Sequence, residues 1–335
     1  MSRSPSAVLG LGLVLALLLL SAVHLRVGAF DTPWSALPAL LWQDDGSAAG
    51  FALRDIRLPR LICAMLVGAA LAVSGLLIQI VTRNPLGDPG LTGVSGGAAF
   101  GVALAITLLS PAVWVVLGSG VAGGALAAVL TFALSHHAGM RSLHLLLAGI
   151  AVSAFFIAAT GAVIIAQRSS MQTLYFWMIG GFAGKGWPEV ALIGPLTASG
   201  LAASLALGPI LAVLALDDTV ARGVGLATGR WRLVSAALSV LLAAGAVAIA
   251  GPIAFIGFIA PHLVRHSTPD RAGQLAMRAF LPLTALTGAV LTSGADLATR
   301  LIPFGKNAPA GIWVSVFGGI LFLLLAQRML RGPAR

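Results

Sequence analysis

Long apolar runs, broken by short polar or glycine- and proline-rich interruptions, fill this chain. The runs fall at 7–23, 61–82, 94–117, 118–135, 143–166, 190–216, 233–250, 253–264, 279–295 and 311–327. Most approach the roughly 20 residues that a helix needs to cross the hydrocarbon core of a bilayer. The pattern predicts an all-α polytopic membrane protein with about ten transmembrane helices. The run 253–264 is too short to cross unaided, and Gly251 and Pro252 stand directly before it; broken helices of this kind are tolerated where protein or a cavity surrounds them. The first run also reads as a signal peptide cleaved near Val27-Gly28-Ala29. It is longer than the roughly 7–15-residue core of such signals, so a retained first span is expected. The stretch 30–57, with Pro33, Pro38, Asp44 and Asp45, reads as a polar loop.

Three interruptions differ from ordinary connectors. The central one, 217–232, divides a first half (1–216) from a second half (233–335) within one transmembrane domain that spans residues 1–335. Asp217 is placed to cap a helix with its carboxylate. A short helix is expected over 219–224, with Gly225 and Gly229 ending it and turning the chain. So compact and polar an element between membrane helices is a plain connector or a handle for another protein, and the handle is the reading adopted. The second interruption, NPLGDPGLTGVSGG at 84–97, places two prolines and five glycines inside a hydrophobic region. It predicts an irregular loop beside a cavity where a pathway is gated; the GxxxG-like spacing of Gly93 and Gly97 also suits close helix packing. The third, GPIAFIG at 251–257, is a comparable break in the second half. The two breaks follow helices of opposite direction, a hint of inverted repeats.

Composition sharpens this picture. The chain is 59% hydrophobic and 9% charged, against roughly 25% charged for a soluble domain, which excludes a water-covered globule. The single cysteine, Cys63, rules out a disulfide framework and a cysteine metal site. The net charge of +10 comes from arginines in loops, without the aromatic interleaving of a nucleic-acid surface, so no nucleic-acid partner is expected. With the N-terminus inside, twelve Lys and Arg residues fall on the cytoplasmic side and eight outside, the sign required by the positive-inside rule. Arg57, Arg60 and Arg300 are outer cations at helix ends. Docking of an acidic partner and contact with lipid headgroups both account for them at this level.

The chemistry that is missing narrows the function. No GxxxxGK[ST] loop is present to cradle a nucleotide. The spans hold no series of carboxylates of the sort an ion-coupled carrier buries. His262 and His266 have i, i+4 spacing in HLVRH, but no Glu and no third ligand accompany them, so no metal site is expected. No ionisable residues converge within the spans as a membrane enzyme would require. A membrane protein with a compact handle and no energy source of its own suggests a separate motor subunit. An ion-coupled secondary transporter is the alternative from another class.

Between Arg57 and Gly101 the sequence runs RLPRLICAMLVGAALAVSGLLIQIVTRNPLGDPGLTGVSGGAAFG. LLLAGIAVSAFF (145–156), FWMIGGFAG (176–184), ARGVGLATGRWRL (221–233) and AGPIAFIGFIAPHLVR (250–265) follow. This series resembles the FecCD-type permeases of bacterial ABC importers and covers nearly the whole chain after the first span and outer loop. The resemblance implies a type II ABC importer permease fold with inverted repeats, in the bacterial inner membrane, with both termini cytoplasmic. It implies two ABC ATPase subunits that use ATP and Mg²⁺, a periplasmic binding protein, and a second permease copy, either the same chain or a paralogue. It implies no catalytic residue and no cofactor on this chain. The cargo it implies is a ferric siderophore, then haem, then cobalamin. By the same resemblance Arg57, Arg60 and Arg300 are exposed for docking to carboxylates of the binding protein. Thr219, Ala221, Arg222, Gly223, Val224 and Gly225 form the element that couples to the ATPase. Asn84, Leu86, Ser142 and Leu143 lie at the cytoplasmic gate. One departure is clear: an acidic-Leu-Pro-Val-Gly pattern common in the family is replaced by Lys306-Asn307-Ala308-Pro309-Ala310-Gly311, which alters the outer surface without touching the fold.

Overall fold

The structure, a computed structural model, describes residues 5–28, 32–43, 46–137, 142–166, 177–216, 218–268, 277–302 and 309–330. Its main helices are α1 (Pro5–Arg26), α2 (Leu58–Thr82), α3 (Val94–Leu104), α4 (Val113–His137), α5 (Ser142–Ala166), α6 (Trp187–Ala206), α7 (Thr228–Ala250), α8 (Ile256–Ser267), α9 (Met277–Leu301) and α10 (Ala310–Leu330). Among the described residues seven helices are long and apolar enough to cross a membrane: α1, α2, α4, α5, α6, α7 and α9. The other three expected spans correspond to α3, α8 and α10.

The bundle is built around α2, which is buried along nearly its whole length and touches α6, α7, α8 and α9. Small residues permit this. A Cβ on Gly68 would overlap the carbonyl oxygen of Gly288 in α9, and one on Gly75 would overlap that of Gly257 in α8. Lipid offers no hydrophobic drive between helices, so such backbone approach and interhelical hydrogen bonds hold them together. Ser74 and Ser239 exchange hydrogen bonds with each other's carbonyls, at 2.7 and 2.8 Å, and join α2 to α7. Thr292 donates from α9 to the carbonyl of Ala64 at 2.7 Å. In contrast, α1 packs chiefly on α9 and turns most of its surface outward.

Several boundaries differ from those expected. The runs 94–117 and 118–135 do not divide at 117. After α3 the helix continues as a wide turn, Ala105–Leu109, and breaks at Ser110. Pro111 drives the residue before it into extended backbone; Ser110 lies at φ −160°, ψ 140°, and its Oγ accepts the N–H of Ala112. The run 190–216 is two helices, α6 and Gly208–Leu214, because Pro209 starts a new helix at its first turn. The stretch 30–57 is not a plain loop: it holds short helices at Leu37–Trp42 and Ala48–Phe51 and a wide turn at Ala52–Arg57 that leads directly into α2. α7 begins at Thr228, earlier than expected, and so takes in Gly229 as helix rather than as a turn. The expected run 253–264 is replaced by α8, which starts at Ile256 after five residues without helix.

Candidate functional site

The central interruption holds the short helix expected of it, one residue earlier than expected and without the turn expected at Gly229. Asp218–Gly223 is a six-residue helix. Gly225, at φ 77°, ends it in the left-handed conformation open to glycine. The N–H of Gly225 bonds to the carbonyl of Arg222 and that of Leu226 to Ala221, the paired closure that satisfies a helix's last carbonyls. Ala221 is fully buried and anchors the helix, while Thr219, Arg222, Gly223, Val224 and Gly225 face outward. Val224 is 68% exposed, an apolar side chain offered to solvent beside a cation. Asp217, expected to cap this helix, lies outside the described residues.

Asn84 and Leu86 lie in the loop between α2 and α3. Asn84 Oδ1 accepts the N–H of Leu86 at 2.9 Å, so the side chain copies a backbone turn. The loop ends in a short 3-10 turn, Pro89–Thr92, that packs on α5. Ser153 donates to the carbonyl of Gly90 at 3.2 Å, and Gly149 lies against that of Leu91. Asn84, Asp88 and Leu91 share a cleft of only about 20 Å³ with Leu145 and Leu146 of α5. The two stretches expected at the gate therefore meet. Ser142 and Leu143 open α5, and their side chains lie outside the described residues.

The loop also reaches α8, through residues to which the sequence alone gave no role. Gln79, buried near the end of α2, donates from Nε2 to the carbonyl of Gly87 and to that of Gly257, both at 3.2 Å. Its Oε1 accepts from Arg265 at 2.9 Å. Asp88 accepts the N–H of Gly90 at 2.8 Å and that of Phe258 in the first turn of α8. Burial pushes the Asp88 carboxyl up to about 6, and these two N–H groups offset part of that rise. Arg83 closes α2 at φ 51°, and Phe255 opens α8 at φ 69°. Among the described residues these are the two non-glycine positions at positive φ. Arg83 Nη2 donates to the carbonyl of Leu216, just before the central helix, at 2.9 Å. Gln79, Arg83, Leu216 and Arg265 line an open cleft of about 480 Å³.

At the opposite end of α2, Arg57, Arg60 and Arg300 converge. The exposure expected of them does not hold: Arg57 is 5% exposed, Arg60 18% and Arg300 13%. Two features draw them in. Asp296, fully buried one turn before Arg300, accepts from Arg60 Nε and Nη2 at 2.9 and 2.7 Å. It also accepts from Arg300 Nη2 at 3.4 Å and from His24 Nε2 at 2.8 Å. His24 Nδ1 is buried without a partner, which fits the neutral ring donating through Nε2. The second feature is the C-terminus of α1, whose last carbonyls lack helical partners. Arg57 Nη1 donates to the carbonyls of Leu25 and Arg26 at 2.7 and 2.9 Å and to Thr32 Oγ1 at 3.2 Å. Arg300 Nη1 donates to those of His24 and Val27, both at 3.3 Å. Among the described residues Asp296 is shared by Arg60 and Arg300, while Arg57 is bonded separately beside them. Lys306 and Asn307 lie outside the described residues.

A polytopic helical bundle built on one buried, glycine-notched helix, with a short helix exposed between its halves, has the architecture of a transport permease. The chain belongs to the FecCD transport family, whose model matches residues 13–328. It is 34% identical over 306 residues to the Fe(3+)-citrate import system permease protein YfmD of Bacillus subtilis, covering 91% of this chain and 90% of that one. It is 36% identical to the achromobactin transport system permease protein CbrC of Dickeya dadantii, covering 94% and 91%. It is 35% identical to the Fe(3+) dicitrate transport system permease protein FecD of Escherichia coli, covering 95% and 97%. Its fold superposes on a metal-chelate type ABC transporter solved in an inward-facing conformation, with a TM-score of 0.81 and 29% identity over 96% of this chain and 99% of that one.

Proposed function

We propose that this chain is the transmembrane permease subunit of an ATP-driven ABC importer, and that it carries a ferric chelate of the siderophore or citrate class from periplasm to cytoplasm. The carrying observation is the near full-length similarity to permeases named for ferric citrate and achromobactin, joined to the exposed central helix that gives a motor something to grip. On this reading the chain sits in the bacterial inner membrane with both termini in the cytoplasm. Two copies, or one copy and a paralogue, form the pathway. Two ATPase subunits use ATP and Mg²⁺ beneath them, and this chain binds neither. Arg222 and Val224 enter the ATPase groove, with Thr219, Ala221, Gly223 and Gly225 shaping the element. The loop bearing Asn84 and Leu86 closes the cytoplasmic exit against the start of α5 at Ser142 and Leu143.

A periplasmic binding protein with acidic lobes delivers the cargo. The basic end of the bundle that carries Arg57, Arg60 and Arg300 steers it, since complementary charge governs encounter and register more than affinity. Motor closure rocks the permease between outward and inward states, and each ligand shifts that equilibrium only by its differential affinity for the two. The test is accumulation of radiolabelled iron in source cells lacking this chain. Loss of uptake from one ferric chelate, restored by the gene, supports the reading; unchanged uptake from ferric citrate and from hydroxamate and carboxylate siderophores sinks it.

A further inference from the structure

We propose that the loop at 84–93 and the start of α8 form one mechanical unit, fastened by Gln79 and Asp88, and that Arg83 is the positioning residue that ties this unit to the chain entering the central helix at Leu216. The transport part of the proposal rests on the permease reading above; the mechanical part does not.

Three independent observations converge on this unit. The first is that two side chains from one half of the sequence bridge both breaks at once. Gln79 spends its amide on Gly87 in the first break and Gly257 in the second. Asp88 receives one N–H from each. The carbonyls of Gly87 and Gly257 have no helical partner, since Gly87 lies in the loop and Pro261, four residues after Gly257, has no N–H, and a buried carbonyl left unpaired is costly. The fastenings therefore resist separation of the loop from α8. The second observation is contact of backbone on backbone beside them: Gly75 lies against Gly257, and a Cβ on Gly257 would sit 2.8 Å from Pro89 Cδ and 3.0 Å from Asp88 Oδ2. Gly257 interposes no side chain of its own, and packed surfaces of this kind shift as blocks rather than deform.

The third is strain at both entrances. Arg83 and Phe255 hold left-handed backbone conformations that side-chain-bearing residues rarely adopt. Each is held in place by its own side chain. Arg83 reaches Leu216, and the Phe255 ring packs on Phe322 of α10, with centroids 6.2 Å apart. Only four residues separate Leu216 from the buried anchor Ala221 of the central helix. A displacement of that helix thus reaches Arg83 through a short tether, then the loop, then α8. Among the described residues one side-chain hydrogen bond, from Ser153, joins the loop to α5, beside the close approach of Gly149 to Leu91. The gate therefore parts between the loop and α5, and not between the loop and α8.

The test places spin-label pairs in a Cys63→Ala background. One pair, at Leu91 and Ala254, joins the loop to the exposed residue just before α8. The other, at Leu91 and Ile150, crosses to α5. In the complete transporter, between nucleotide-free and ATP-bound states, the first distance should hold within about 2 Å and the second should move by more than that. A first distance that changes by more than the second overturns the mechanical claim. In the permease by itself in nanodiscs, Gln79→Leu with Asp88→Asn should broaden the first distribution, and an unchanged narrow distribution also overturns it. Arg83→Ala should lower iron moved per ATP hydrolysed at least about fivefold while ATP hydrolysis and thermal stability persist, and Arg83→Lys, which still donates, should restore part of it. A wild-type ratio in Arg83→Ala removes Arg83 from the transmission. Absence of ATP-driven uptake in the wild type would strike the permease reading alone, because the nanodisc distances still decide the mechanical claim.

Discussion

Arg60 and Asp296, 236 residues apart in sequence, form a two-pronged pair with Nε and Nη2 of one on the two carboxylate oxygens of the other. This pair draws α2 to α9 at the end of the bundle where α2 begins, and His24 brings α1 into the same contact. Removing one partner of a buried pair leaves the other charge uncompensated. Asp296→Ala should therefore destabilise the purified permease by about 3–5 kcal/mol, read as a lowered unfolding midpoint in detergent. Arg60→Lys keeps the charge but loses the fork and should fall between that variant and the wild type.

Arg57 serves a different end. It closes the carbonyls of α1 and has little surface left for a partner. Arg57→Glu should reduce the amount of folded permease recovered, whereas Arg300→Gln, farther toward the surface, should leave folding largely intact and slow docking of the binding protein. The association rate measured against salt concentration separates the two effects, since steering by exposed charge fades as salt rises.

Gly225 is the stop of the central helix, and its φ of 77° suits glycine. Gly225→Val should strain this turn by about 1–2 kcal/mol and displace Val224, lowering affinity for the ATPase in a pull-down titration. Gly12, beside which a Cβ meets nothing within 4 Å, is the matched control and should tolerate Ala. Arg222→Glu together with Gly223→Pro should separate ATP hydrolysis from uptake, and unaltered uptake in that variant would remove the central helix from the mechanism.

Asp88 provides a pH signature. Its carboxyl, raised from 3.8 to about 6, binds a proton more tightly in the folded chain than in the unfolded one. Its protonation therefore favours the fold fully below about pH 4, and that contribution is lost as pH rises through 6. Between pH 4 and 7 the wild type should lose about 1–3 kcal/mol of stability relative to Asp88→Asn. Parallel unfolding midpoints for the two proteins across this range would contradict the buried, charged site described for Asp88.

What the sequence revealed, and what it concealed, follows from the reach of each signal. Gly225 and the polar run around Arg222 mark the central helix locally, because chain reversal in an apolar background needs such residues. The breaks at 84–93 and 251–255 were legible for the same reason. Ser110-Pro111 was equally local and was passed over because the apolar run continues on both sides. Gln79 and Asp88 carry no such mark. Each looks like an ordinary polar residue near a helix end, and its role appears only when Gly257, 178 residues beyond Gln79, is brought against it. Arg57, Arg60 and Arg300 were legible as a group that needed explaining, but their exposure was not, since it depends on Asp296 and on the end of α1 lying between them.

The measurement that bears most directly on the account is iron uptake into vesicles holding this permease with its cognate ATPase and binding protein. ATP is supplied on the motor side, and ion gradients are collapsed by ionophores. The account predicts uptake of a ferric chelate that requires ATP and the binding protein and is indifferent to the ionophores. Uptake that follows an ion gradient and proceeds without the ATPase would contradict it.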